Sequence, residues 1–165
     1  MSDVTPYDRA IGLLARREYA RAEIRERLLR HHDDTEEVEA VLDRLIENNL
    51  QSDERFAELF VRSRLSRLQG PRKISAELAQ KGVERSLIAH ALEACEADWF
   101  ELAAHALAGR FKTPGEDMKE RARRQRFLAS RGFDGEQSRY AMACLKEGSG
   151  EGQGAFRSRF DDQAE

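Results

Sequence analysis

Several residue types are scarce in this sequence of 165 residues, and each scarcity argues against a class of protein. The two cysteines, Cys95 and Cys144, are too few for a disulfide framework and form no CxxC pair, so we expect reduced core thiols. No apolar run approaches the roughly 20 residues of a membrane span, and the first ten residues lack the apolar segment of a signal peptide. We therefore expect a cytoplasmic protein with no membrane contact.

Aromatic residues and prolines are also few. Aromatic residues make up 7% of the chain, and the three prolines all lie near proposed helix boundaries. Hydrophobic residues make up 40%, which is enough to bury a core, and 36% of the residues are charged. This composition, with apolar residues at helical spacing, favours an all-α fold.

The sequence lacks the residue patterns of catalysis and of cofactor binding. It has no GxxxxGK[ST] loop and no strand–GxGxxG–helix context. The cluster His31–Asp34 is a poor metal site, because adjacent residues on a helix point about 100° apart; it suits a helix end followed by a helix start. His90 and His105 are isolated on predicted helices. We expect a non-enzymatic protein with no catalytic residue, metal or cofactor.

The net charge of −3 hides a segregation of charge along the chain. Residues 1–52 carry −4, residues 53–95 carry +2 and residues 96–165 carry −1. Two segments are strongly basic. The first, which we call the central corner, contains Arg62, Arg64, Arg67, Arg72 and Lys73. The second basic cluster contains Lys119, Arg121, Arg123, Arg124, Arg126 and Arg131.

The apolar pattern repeats when the chain is shifted by 50 residues. The positions that coincide between the first and second repeats include Ile24 with Ile74, Leu28 with Leu78, Val38 with Ile88 and Leu42 with Leu92. A second shift places Gly82 on Gly132, each preceded by a cation and followed by an apolar residue. That arrangement is typical of a helix end with glycine in the left-handed conformation. The register therefore indicates internal repeats of three helices each.

We predict an all-α protein of three tandem three-helix, helix-turn-helix-like repeats, stacked into an elongated, curved array. The predicted boundaries are 1–52, 53–97 and 98–147, with a disordered Gly-rich tail over 148–165. Repeat three carries an extra segment near Lys112–Asp117, and Ser138 stands where its predecessors have valine and isoleucine. We expect repeat three to be the most loosely packed.

Local signals predict individual helix boundaries. Thr5-Pro6 begins a helix that we expect to run to about Glu18, and Asp34 caps the third helix. The central corner is expected to be helix, tight turn, helix: Gly70 ends one helix where a positive φ is needed, and Pro71 begins the next. The expected apolar stripes of these two helices are Phe56, Leu59, Phe60 and Leu65, then Ile74, Leu78 and Ala79.

The basic residues are the candidate binding site. Few aromatic residues interleave with them, which disfavours stacking on single-stranded bases and favours phosphate or acidic protein surface. The candidate set also includes Lys81 and Arg131, the cations that directly precede Gly82 and Gly132. The candidate residues are Arg62, Arg64, Arg67, Arg72, Lys73, Lys81, Arg121, Arg124, Arg126 and Arg131.

The segment DERFAELFVRSRLSRLQGPRKISAELAQKGV, with RFLASRGF further on, resembles the RecX family, regulators of the bacterial recombinase RecA. The opening AIGLLARREYARAEIRERLL and the join VLDRLIENNLQSDERFA are similar to it as well. The resemblance covers about residues 7–146. Repeat one departs from the pattern, since His32-Asp33 stands where its siblings have Gly-Val and Gly-Phe.

The resemblance implies a non-enzymatic modulator, mainly an inhibitor, that binds the RecA–DNA filament. It would suppress ATP hydrolysis, strand exchange and co-protease activity, and so regulate DNA repair, recombination and the SOS response. The implied partners are RecA and, weakly or within the filament, single- and double-stranded DNA; we expect a monomer. The alternative is an autonomous helix-turn-helix-type DNA-binding protein, against which the overall acidity argues.

Overall fold

A computed structural model describes residues 3–148 of the chain. This part consists of nine α-helices and contains no strand, which confirms the all-α prediction. The helices are α1 (Pro6–Leu14), α2 (Arg21–Leu29), α3 (Thr35–Glu47), α4 (Asp53–Leu65), α5 (Pro71–Gln80), α6 (Arg85–Ala94), α7 (Trp99–Arg110), α8 (Met118–Ser130) and α9 (Gly135–Gly148). None of these helices is both long and apolar enough to cross a membrane.

The chain divides into two compact units. Unit 1 contains the residues up to Ser63 together with Ser75–Glu96. Unit 2 contains Arg64–Ile74 together with the described residues from Ala97 to Gly148. The boundaries of the three repeats at 52, 97 and 147 stay predictions. The predicted tail begins at Gly148, the last residue of α9, and its remaining residues lie outside the described range.

One hydrophobic cluster of unit 1 is built from α1, α2, α3 and the loop residue Tyr19. Ile24 and Leu28, one turn apart on α2, have no exposed surface, and neither do Val38 and Leu45 on α3. At the surface, Arg21 and Arg25 bind Glu39 on α3, and these hydrogen bonds hold the pKa of that carboxyl below its usual range. The repeated apolar positions Ile24, Leu28, Val38 and Leu42 all lie in this cluster.

The core of unit 2 lies where α7 packs against α9 and α8. Three buried alanines stand between Leu102 and Leu107 on α7 and allow a close approach of the helices. The buried side chains are Leu102, Ala103, Ala104, Ala106, Leu107, Leu128, Phe133 and Ala141. Ser138 is buried as well, with 7% of its surface exposed.

Helix starts follow the sequence signals. The hydroxyl of Thr5 accepts a hydrogen bond from the amide of Asp8, and Pro6 is the first residue of α1. Asp34 accepts from the amide of Glu37 at the start of α3, which confirms its capping role. The same arrangement recurs at Asp98 and at Asp117.

Two helix ends confirm the predicted glycine caps. Gly82 has φ +80° and Gly132 has φ +98°. After α5 the amide of Val83 bonds to the carbonyl of Leu78, and after α8 the equivalent bond joins Phe133 to Leu128. These bonds, spanning five residues, identify both ends as Schellman motifs.

Three local predictions within unit 1 were wrong. Helix α1 ends at Leu14 rather than near Glu18, because the chain turns there and brings Tyr19 into the core. On α4 the buried face includes Ala57 and Val61, so that Leu59 lies 45% exposed. Ala79 is exposed on α5, since the buried face of that helix runs through Ile74 and Leu78.

Candidate binding surface

The central corner differs from its prediction at Gly70. The positive φ after α4 belongs to Leu68, at +58°, and not to Gly70. The amide of Leu68 bonds to the carbonyl of Leu65, and the amide of Gln69 bonds to that of Arg64, which completes a Schellman end with leucine in the glycine position. Leucine is rarely found in this conformation, but Leu68 packs against the core of unit 2.

Gly70 instead serves a close approach of two backbones within unit 2. Its amide donates to the carbonyl oxygen of Arg131 at 2.7 Å, and the amide of Arg72 donates to that of Gly132 at 3.0 Å. A Cβ on Gly70 would lie 2.5 Å from the carbonyl carbon and oxygen of Gly132. Only glycine fits between these backbones.

These two backbone hydrogen bonds, Gly70–Arg131 and Arg72–Gly132, which we call the backbone bracket, join the two basic segments of the sequence. The start of α5 lies against the turn that connects α8 and α9, and Arg131 also reaches back to the corner. Its Nη1 donates to the carbonyl oxygen of Arg67 at 3.3 Å. The side chains of Arg67 and Arg72 are exposed, while Lys73 and Arg131 are half-buried. The two basic segments, which are distant in sequence, are therefore in direct contact within unit 2.

The ten candidate residues fall into different environments. Two of them, Arg62 and Lys81, belong to unit 1, and the others belong to unit 2. Lys81 places its Nζ 3.6 Å from Glu23, in a salt bridge across unit 1. In unit 2, Arg121 and Arg126 on α8 are exposed. Arg64, at the end of α4, is half-buried.

Arg124 has a structural environment that the sequence analysis did not foresee. It is only 9% exposed. Its Nε donates to the carbonyl of Thr113 at 2.7 Å and its Nη1 to that of Glu120 at 2.9 Å, while the guanidinium lies 4.5 Å from the ring centre of Phe111. The side chain thus fastens the α7–α8 loop to α8.

Aromatic rings lie beneath several arginines, although few aromatic residues interleave with them in sequence. Phe111 and Phe127 meet edge to face with their centres 5.7 Å apart. The guanidinium groups of Arg110 and Arg131 lie 5.5 Å and 5.4 Å from the centre of Phe127. Such stacking orders a guanidinium without removing its charge. The sequence analysis did not predict the stacking of Arg110, because this residue stands outside both basic segments. Its position next to Phe111 was the one local sign of an aromatic environment.

Comparison with known protein families matches most of the chain. The family descriptions that match are RecX, first three-helix domain, over residues 7–45; RecX, second three-helix domain, over 52–92; and RecX, third three-helix domain, over 96–142. Each matched range coincides with three consecutive helices: α1–α3, α4–α6 and α7–α9.

Curated relatives carry the same family name along most of their length. A protein of Chromohalobacter salexigens named "Regulatory protein RecX" is 55% identical over 141 residues, which are 86% of this chain and 93% of the relative. One of Halorhodospira halophila with the same name is 43% identical over 142 residues, 85% of this chain and 88% of the relative.

A solved structure titled "Crystal structure of regulatory protein RecX" is 25% identical, has a TM-score of 0.72, and covers 81% of this chain and 68% of its own. The structure of RecX from Lactobacillus salivarius has a TM-score of 0.73 at 22% identity, covers 85% of this chain and 94% of its own, and shows the common fold. The matches to all three domain descriptions and the 55% identity to a curated relative show that this chain belongs to the RecX family.

Proposed function

We propose that this protein is a non-enzymatic modulator of RecA, and mainly its inhibitor. It binds the RecA–DNA filament and suppresses ATP hydrolysis, strand exchange and co-protease activity, which regulates repair, recombination and the SOS response. It acts in the cytoplasm as a monomer and needs no cofactor. Family membership supports the RecA connection, because the curated relatives bear the name regulatory protein RecX.

The observation that carries the proposal is the bracket between Gly70 and Arg131. It brings cations from two separate segments of the chain onto one part of unit 2 and fixes the backbone that bears them. A fixed backbone lowers the entropy that is lost when side chains bind a partner. The cations that we assign to this basic surface are Arg67, Arg72, Lys73, Arg121, Arg126 and Arg131.

The chemistry of the basic surface fits acidic protein groups or phosphates that line a filament groove. Guanidinium groups bind carboxylate and phosphate through paired hydrogen bonds, and both groups occur in a filament of protein on DNA. The whole chain carries a net charge of −3, which opposes tight binding to naked DNA. The surface therefore favours a partner that offers contacts besides the DNA backbone.

The remaining candidates have secondary roles in this proposal. Arg62 and Arg64 of the central corner add positive charge, as does Lys81, which forms a salt bridge with Glu23. Arg124 positions the loop beside the surface and does not itself bind the partner, because its guanidinium is committed to two backbone carbonyls.

The experiment that tests the proposal is ATP hydrolysis by preformed RecA filaments on single-stranded DNA, with this protein titrated in at fixed moderate salt. We expect inhibition. Inhibition well below one molecule per RecA monomer indicates action at filament ends, and inhibition only near saturation indicates coating of the groove. Unchanged hydrolysis alongside tight, sequence-preferring binding to naked duplex would refute the proposal in favour of an autonomous DNA-binding protein.

A further inference from the structure

Three side chains of the kinds that bind metals lie together on the surface of unit 1, and none of them belongs to the basic surface. Glu54 and Glu58 are four residues apart on α4, so their carboxylates share one face of the helix. His90 on α6 places its Nε2 3.6 Å from Oε1 of Glu54 and 4.0 Å from Oε1 of Glu58. The sequence analysis treated His90 as isolated and expected no metal; the fold brings this histidine to α4.

The spacing of the three ligand atoms is close to that of a metal site. A tetrahedral Zn²⁺ ion with bonds of about 2.0–2.2 Å holds its ligand atoms about 3.3–3.6 Å apart. The imidazole nitrogen and the two carboxylate oxygens all lie within 4.8 Å of one another. Side-chain rotations that move each atom by less than about 1 Å would bring them to this spacing. All three side chains are partly exposed, so such rotations meet little resistance and an ion has access from solvent.

The identity of the ligands indicates which ion fits. Two carboxylates give the cluster a charge of −2, and a neutral imidazole contributes a nitrogen that first-row transition ions bind well. Mg²⁺ and Ca²⁺ prefer oxygen ligands in larger number, and here only two carboxylates converge. A water molecule can occupy the fourth position of a tetrahedral ion.

We propose that Glu54, Glu58 and His90 form a binding site for a divalent transition ion, Zn²⁺ being the best fit, which ties α4 to α6. The bound ion joins residues of two helices that are distant in the chain, so it stabilises the folded form of unit 1. The site is independent of RecA, and its test is independent of the function proposed above.

The test is isothermal titration of the purified full chain with Zn²⁺, compared with two variants. We expect one ion to bind, and His90→Ala to weaken that binding about 10-fold or more. His31→Ala is the matched control, because His31 is an exposed histidine beyond the end of α2, and we expect it to bind as the parent does. A free Zn²⁺ concentration about 100 times Kd should also raise Tm by about 5 °C or more.

A second measurement locates the ion on the molecule. Co²⁺ takes similar ligands and broadens the NMR signals of nearby nuclei, so we expect losses confined to Glu54–Glu58 and the residues around His90. Broadening around Cys95 or Cys144 without loss at His90 would overturn the proposal. Binding that His90→Ala and Glu58→Gln both leave unchanged would overturn it as well, and so would the absence of Zn²⁺ binding, which would make the cluster a surface ion pair.

Discussion

The amide of Gly70 donates to the carbonyl oxygen of Arg131 at 2.7 Å, and this contact requires glycine both at Gly70 and at Gly132, the residue after Arg131. A Cβ on Gly132 would lie 2.5 Å from the Cβ of Lys73, and one on Gly70 would meet the backbone of Gly132. The two glycines thus control whether the basic segments of unit 2 can touch. Both the fold of unit 2 and the proposed basic surface depend on this contact. It can therefore be tested by measuring the stability of the protein and its binding to the filament.

Replacing Gly70 with alanine should destabilise the protein by about 2–3 kcal/mol, because the added methyl group meets backbone that cannot move aside. The measurement is the free energy of unfolding by urea, followed by circular dichroism. The matched control is Gly109→Ala in the same unit. A Cβ there has nothing within 4 Å, so alanine should raise stability by about 0.5–1 kcal/mol through its better helix propensity. Equal stabilities of the two variants would contradict the bracket.

Replacing Gly82 with alanine should also destabilise the protein, by about 1–2 kcal/mol, because an L-residue is strained at φ +80° and its Cβ would lie 2.7 Å from the Cβ of Ala22. Thermal unfolding gives the comparison. Gly12→Ala on α1 is the control within unit 1, since its Cβ has open space, and we expect that variant to be slightly more stable than the parent. A stabilised Gly82→Ala variant would argue against the Schellman end of α5.

Arg124 and Arg126 should respond differently to alanine substitution, although they lie two residues apart on α8. Arg124→Ala removes the hydrogen bonds to the carbonyls of Thr113 and Glu120 and should cost about 1–3 kcal/mol of stability. Arg126→Ala should change stability by less than about 0.5 kcal/mol, because its side chain is exposed, and should instead weaken filament binding. Unfolding and binding measured on both variants separate the roles; a loss of stability in Arg126→Ala alone would reverse our assignment.

Much of this structure follows from the register of 50 residues. The register predicted the two glycine helix ends at Gly82 and Gly132, because matching cap residues require matching backbone conformations. The register also explains why Arg124 is buried. This residue aligns with the buried Ile74, whereas Arg126 aligns with the exposed Ala76. The charge of Arg124 led to its prediction as a binding residue, although its position in the repeat indicated burial.

Other features depend on contacts between distant segments, and no local pattern encodes them. Gly70 before a proline has the appearance of a helix-ending glycine, and only the approach of Gly132 gives the actual reason for its small size. The stacking of Arg110 on Phe127 and the meeting of His90 with Glu58 likewise arise from the packing of separate helices. Local propensity cannot predict such pairs.

The most direct test of the account measures the affinity of the Arg72→Glu/Lys73→Glu variant for RecA filaments on single-stranded DNA. Both side chains lie at the bracket, and Lys73→Glu retains the Cβ that packs on Gly132. The control is Arg16→Glu/Arg85→Glu, which changes the net charge equally at exposed positions of unit 1. We predict binding weakened about 10-fold or more in the first variant only, with unchanged helix content. Equal affinities for the two variants would contradict the assignment of the basic surface as the filament contact.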